Sequence, residues 1–177
     1  MAVVFTNGCF DVLHRGHVQY LEQSKALGKR LIVGLNSDAS VRGLKPGRPI
    51  NTQEDRKAVL LALRCVDEVI IFDEPTPLEL ILKVKPDIIT KGGDYKPEQV
   101  VGFTLVKQTV IVPFLDGYST TRTIHAITRN GGEGLGLGVH LGDQRQVLRE
   151  ADDVQAGCKV FDALSRSEGR DVADSKW

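Results

Sequence analysis

AVVFTNGCFDVLHRGHVQYLEQSKALGKRLIVGLN, residues 2–36, decides the fold. Ala2 to Thr6 and Arg30 to Asn36 are short, almost continuously apolar runs, which suits strands covered on both faces. Between them, Val18, Leu21 and Leu27 recur at helical spacing over His17 to Leu27, and Gly28 follows as the expected stop. Strand, helix and strand in such close succession predict a βαβ unit, and therefore a parallel sheet with right-handed crossovers.

The same alternation continues outward. Glu68 to Phe72 (EVIIF), Asp87 to Thr90 (DIIT) and Thr109 to Phe114 (TVIVPF) repeat the strand pattern. Asn51 with Glu54 three residues on, and Thr76-Pro77-Leu78-Glu79, read as capped helix starts. The expectation is an α/β, Rossmann-like three-layer sandwich with a five-stranded parallel sheet over residues 1–129. Ligands of such sheets sit beyond the carboxyl ends of the strands, so the loop after the first strand is a ligand edge. Residues 130–177 differ in character. NGGEGLGLGVHLG (130–142) reads as a flexible connector, since GLGLG matches neither G-x-G-x-x-G nor G-x-x-x-x-G-K-[ST]. Scattered apolar residues over 143–165 suit one or two short amphipathic helices, and the end is polar.

Bulk chemistry narrows the class. Lys plus Arg and Asp plus Glu both total 23, so no net charge advertises a polyanion, which argues against a dedicated nucleic-acid binder. Cys9, Cys65 and Cys158 are widely spaced and lack a zinc-ligand pattern. No apolar stretch approaches the roughly 18 residues of a spanning helix, and no signal peptide opens the chain. A cytoplasmic protein without membrane or nucleic-acid partners is expected.

Two of only four histidines, His14 and His17, bracket Arg15-Gly16 where strand gives way to helix. Alone, such a pair fits metal binding or helix capping as well as catalysis, although no further ligands stand nearby to complete a metal site. Here small residues precede the pair in TNGCFD, and a helix N-terminus follows, offering unpaired N–H groups and a favourable dipole to an anion. One helical turn can aim both rings at one group. That suits phosphoryl or nucleotidyl transfer.

GCFDVLHRGH (Gly8 to His17), KGGDY (Lys91 to Tyr95) and GYSTTRTI (Gly117 to Ile124) together resemble the cytidylyltransferase-like nucleotidyltransferases. Within that family, FTNGCFDVLHRGHVQYLEQSKALGKRLIVGLNSDASVRGLKPGRPIN, EDR, KPDIITKGGDY and DGYSTTR are similar to the D-glycero-β-D-manno-heptose 1-phosphate adenylyltransferases. No sugar-kinase half precedes these motifs, so the free-standing form is expected. The resemblance implies attack of a sugar phosphate on the α-phosphorus of ATP, with loss of pyrophosphate and formation of ADP-heptose for lipopolysaccharide core. It implies catalytic roles for His14, His17, Lys45 and Arg122. Nucleotide contacts would come from Gly8, Cys9, Phe10, both histidines, Gly92, Asp94 and Ser119, Thr120, Thr121 and Arg122. Asp11, Arg48 and Arg56 would face the sugar phosphate.

The residues leave alternatives beside these roles. Lys45 reads equally as a solvated loop lysine, Arg56 as a surface ion pair, Asp94 as a turn residue and Asp11 as an internal brace. Cys9 is a packing residue rather than a nucleophile. Three hydroxyls before Arg122 exceed what capping needs, and the planar fork of an arginine suits phosphate. Mg²⁺ is expected with the triphosphate, held mainly by phosphate oxygens, and a homodimer is the expected assembly. Two departures stand out: FTLVKQT (103–109) is about one helical turn short of the family's crossover, and residues after Arg129 fall outside the resemblance. Competing functions are cytidylyl transfer to glycerol 3-phosphate or another polyol phosphate, and a nucleotide-binding regulatory module without turnover.

Overall fold

A computed structural model describes residues 2–45 and 47–130. Five parallel strands form one sheet: β1 (Val3–Gly8), β2 (Arg30–Asn36), β3 (Glu68–Phe72), β4 (Ile88–Gly92) and β5 (Gln108–Val112). The helices are α1 (Arg15–Ala26), α2 (Asp38–Leu44), α3 (Gln53–Leu61), α4 (Leu78–Val84) and α5 (Thr120–Asn130). Register explains the continuous apolar runs. Val4, Leu31, Val33, Leu35 and Ile88 point into one core with Leu21 of α1 and Leu60 of α3. Phe5, Ile32 and Ile89 point to the opposite face, where Leu80 and Ile81 of α4 cover them. Two-faced burial and helices on both sides give the expected three-layer α/β sandwich.

The strand order is β3-β2-β1-β4-β5. The chain builds outward from β1 through β2 to β3, then returns to lay β4 on the other flank of β1. Order reverses between β1 and β4, and sheets of this kind bind ligands in the crevice beyond the carboxyl ends at such a reversal, here Gly8 and Gly92.

Several local expectations shift. Gly28 does not stop α1 through a left-handed conformation; a Cβ there would lie 2.7 Å from the Ala2 carbonyl oxygen, so close chain approach demands the glycine. The cap of α3 is Thr52, whose hydroxyl accepts from Asp55 N–H, and not Asn51. Pro77 itself occupies the cap position of α4, and Thr76, one residue earlier, accepts from the Leu78 N–H over a long 3.4 Å. The β4–β5 crossover contains only short 3-10 turns, Pro97–Gln99 and Phe103–Leu105, in keeping with the missing turn of sequence. Asn130, expected to open the connector, is the last residue of α5, and the remaining connector and amphipathic stretches, 131–165, lie outside the described residues.

Candidate nucleotide site at the sheet switch point

The turn leaving β1 sets the site. Phe10 takes a left-handed conformation (φ 45°), uncommon for a bulky residue, and its ring meets His17 edge-on at 5.5 Å between centroids. Three side chains hold this turn from behind. The Asp11 carboxylate accepts from the Ile50 and Asn51 amides at 2.9 Å and from Arg48 at 2.8 Å. Burial alone would raise its pKa, but these donors hold it below the ordinary carboxylate value. Arg56 donates to the Asn51 carbonyl, the Cys9 carbonyl at 2.6 Å and Asp38 at 2.8 Å.

These bonds revise the sugar-phosphate set expected from sequence. The Arg56 side chain is 0% exposed and all its nitrogens face protein, so it braces the turn rather than touching a ligand. Asp11 is also a brace, and Arg48 is committed to it, with 18% of its side chain exposed. A buried arginine cannot be told from a surface one by spacing along one helix. Its three acceptors come from the turn after β1, the start of α2 and the loop before α3.

On the open side stand the histidines. His14 caps α1 and His17 is its third residue; their rings stack with centroids 3.9 Å apart. Gly16 permits this, since a Cβ there would sit 3.1 Å from the His14 ring and 3.3 Å from Tyr118. His14 N–H points at His17 Nδ1 over a long 3.4 Å. An accepting Nδ1 puts the proton of a neutral ring on Nε2. Burial, with the charges of His14 and Lys45, pushes the His17 pKa down to about 4, and burial also lowers that of His14. His17 is therefore a neutral donor near pH 7. Lys45, the C-terminal cap of α2, is close enough for its charge to act on the His17 ring.

The second motif arrives from the far end of the domain. Ser119 accepts from Arg122 N–H at 3.1 Å, capping α5, and keeps its own proton available. Thr120 donates to the Val12 carbonyl at 3.2 Å, which ties the start of α5 to the histidine loop. Of the three hydroxyls, that of Thr120 is thus a tether. Arg122 is exposed. Tyr118 lies against His14 at 6.3 Å between ring centroids, a neighbour sequence reasoning did not single out; an aromatic just ahead of S-T-T-R was its only signal. The β4 loop supplies Gly92 and Gly93. Gly93 has φ 116°, and a Cβ there would clash with the Phe114 ring at 2.7 Å. Lys91 lies over Tyr95, and Asp94 is exposed beside them.

Among the described residues no three His, Cys, Asp or Glu side chains gather as metal ligands, and no helix is long and apolar enough to cross a membrane. What converges is two helix N-termini, two imidazoles, a lysine field and an arginine helix turn: donors for an extended anion.

Comparison with known proteins identifies relatives of the chain. The chain is 59% identical over 126 residues to the bifunctional protein HldE of Wolinella succinogenes, covering 71% of this chain and 27% of that protein. It is 52% identical over 128 residues to HldE of Helicobacter pylori strain Shi470, covering 72% and 28% respectively. The chain thus spans about a quarter of the length of these curated relatives. The crystal structure of the lipopolysaccharide core biosynthesis protein from Thermoplasma volcanium GSS1 superimposes with a TM-score of 0.57 at 33% identity, covering 66% of this chain and 99% of that one. The Cytidylyltransferase-like family pattern matches residues 5–125, from within β1 into α5, and the chain belongs to that family.

Proposed function

We propose that the protein transfers the adenylyl group of ATP to D-glycero-β-D-manno-heptose 1-phosphate in the cytoplasm, giving ADP-heptose and pyrophosphate for lipopolysaccharide core. A phosphate oxygen of the sugar attacks the α-phosphorus, and the bond from that phosphorus to the pyrophosphate oxygen breaks. The observation that carries this is the stacked His14–His17 pair over the start of α1, with α5 tethered beside it. Neutral His17 donates from Nε2 to an α-phosphate oxygen as charge builds there. Lys45 adds positive potential, while Ser119, Thr121 and the Arg122 fork receive the departing phosphates. Such placed donors act most strongly on charge that develops in the transition state. Gly92, Gly93 and Asp94 line the nucleotide side of the crevice.

Mg²⁺ is proposed to enter with the nucleotide, held mainly by its phosphate oxygens. A homodimer is proposed, for which the exposed Leu78, Leu82, Phe103 and Leu105 are available surface.

The choice of heptose rests on the motif similarity and the HldE relatives, since the donors described would serve any phosphate nucleophile. Incubating ATP with the heptose 1-phosphate, and CTP with glycerol 3-phosphate, with Mg²⁺, then resolving products by mass spectrometry, tests it. ADP-heptose as the favoured product is expected. CDP-glycerol would replace the substrate while leaving nucleotidyl transfer standing, and no pyrophosphate with any pair would leave a binding module.

A further inference from the structure

Beneath the crevice lies a buried hydroxyl cluster that the transfer chemistry does not use. Tyr20 and Ser24 sit one and two turns beyond His17 on the sheet-facing stripe of α1, at the i+3 and i+7 positions. Tyr20 Oη lies 2.6 Å from Thr6 Oγ1 on β1 and 3.3 Å from Thr90 Oγ1 on β4. Ser24 Oγ lies 2.9 Å from Thr90 Oγ1 and donates to the Tyr20 carbonyl at 2.9 Å. Thr6, Ser24 and Thr90 are 0% exposed.

The protons can be assigned by elimination. Ser24 donates to the Tyr20 carbonyl, so Thr90 donates to Ser24. Tyr20 donates to Thr90, so Thr6 donates to Tyr20. The result is one directed chain, Thr6 to Tyr20 to Thr90 to Ser24 to the helix backbone, in which each hydroxyl proton is used once. Burial raises the Tyr20 pKa against the opposing effect of these bonds, which keeps the phenol protonated and able to donate.

Its location gives the cluster a purpose. Thr6 stands two residues before Gly8, and Thr90 two before Gly92, so Tyr20 bridges the strands that part to open the crevice. Apolar packing would tolerate a small slide of α1 along the sheet. Fixed hydrogen-bond lengths do not. We propose that Tyr20 is a positioning residue: its hydroxyl fixes the axial placement of α1, and with it the His17 ring, against the Gly92 loop. This rests on the nucleotidyl-transfer proposal above, so the test includes a readout that does not need turnover.

In Tyr20→Phe the Thr6 hydroxyl loses its acceptor, a buried loss that lowers stability. Adding Thr6→Val removes the orphaned donor, while Thr90 still donates to Ser24, so stability recovers. Positioning predicts that kcat falls about tenfold or more in both variants with KM for ATP within about twofold, a modest share of what a misplacement near 1 Å costs. It also predicts that the His17 ring resonance shifts in ¹H–¹³C spectra of both, while that of His125 stays in place. Wild-type kcat in Tyr20→Phe, or activity that returns with stability in the double variant, overturns the proposal. An unmoved His17 resonance overturns it too, even for a protein in which no substrate pair turns over.

Discussion

At the scale of single residues, His14 and His17 divide one task. Burial pushes both rings towards the neutral form, so each offers a directed hydrogen bond rather than a bound counter-charge. His14→Ala and His17→Ala are each expected to fold and to lose about 10²–10³-fold in kcat, the scale for removing one transition-state donor. Steady-state pyrophosphate release alongside circular dichroism checks this, and near-wild-type turnover in both would remove the histidines from the mechanism. Acid stability follows from the same burial. The unfolded His17 takes its proton near 6.5 and the folded one near 4, so between those values the unfolded state holds more protons. Stability should therefore fall as pH drops from 6.5 towards 4. Urea midpoints over that range should show a shallower decline for His17→Gln than for the wild type; equal slopes would mean that the ring is not buried neutral.

Among the elements, the turn after β1 is held by Arg56 of α3 and by the loop before it. Replacing Arg56 with Met leaves Asp38 without its ion pair and the Cys9 and Asn51 carbonyls without their donor. A loss of about 3–5 kcal/mol is expected in urea unfolding, as for breaking a buried pair on one side; under about 1 kcal/mol would make the clamp dispensable. Much of this architecture was legible beforehand. The inner strands announce themselves because burial on both faces forces near-continuous apolar runs such as Leu31 to Leu35, and the partly buried edge strands keep enough of that pattern to be read. The histidine pair and the S-T-T-R helix were legible because their chemistry is local. What escaped has non-local causes. α2 is too short to display a period, and the off-by-one caps of α3 and α4 depend on loop geometry that adjacent Asn-Thr or Thr-Pro pairs do not reveal. The internal roles of Asp11, Arg48 and Arg56 arise only when the loop around 48–51 folds back on residues 9–11.

For the whole molecule, every motif and the family match lie before residue 126, so a chain ending at Arg129 should retain the fold and the transfer reaction. Gel filtration and pyrophosphate release of that truncation test this; a folded but inactive product would assign residues 130–177 a part in the site. The placement of β1 has another consequence, in time rather than space. The first strand to be made is the central one, paired along its whole length with β2 but with β4 only through Val4–Ile88 and Phe5–Ile89. Until residues 88–92 have been synthesised, one side of this central strand remains an open edge, the kind of template on which nascent chains aggregate. Folding should accordingly run in two stages, β1–β2–β3 first and the β4–β5 flank later, because the second stage must close a much longer loop. Pulsed hydrogen exchange during refolding would show β2 amides protected before those of β5, and simultaneous protection would make the sheet a single kinetic unit.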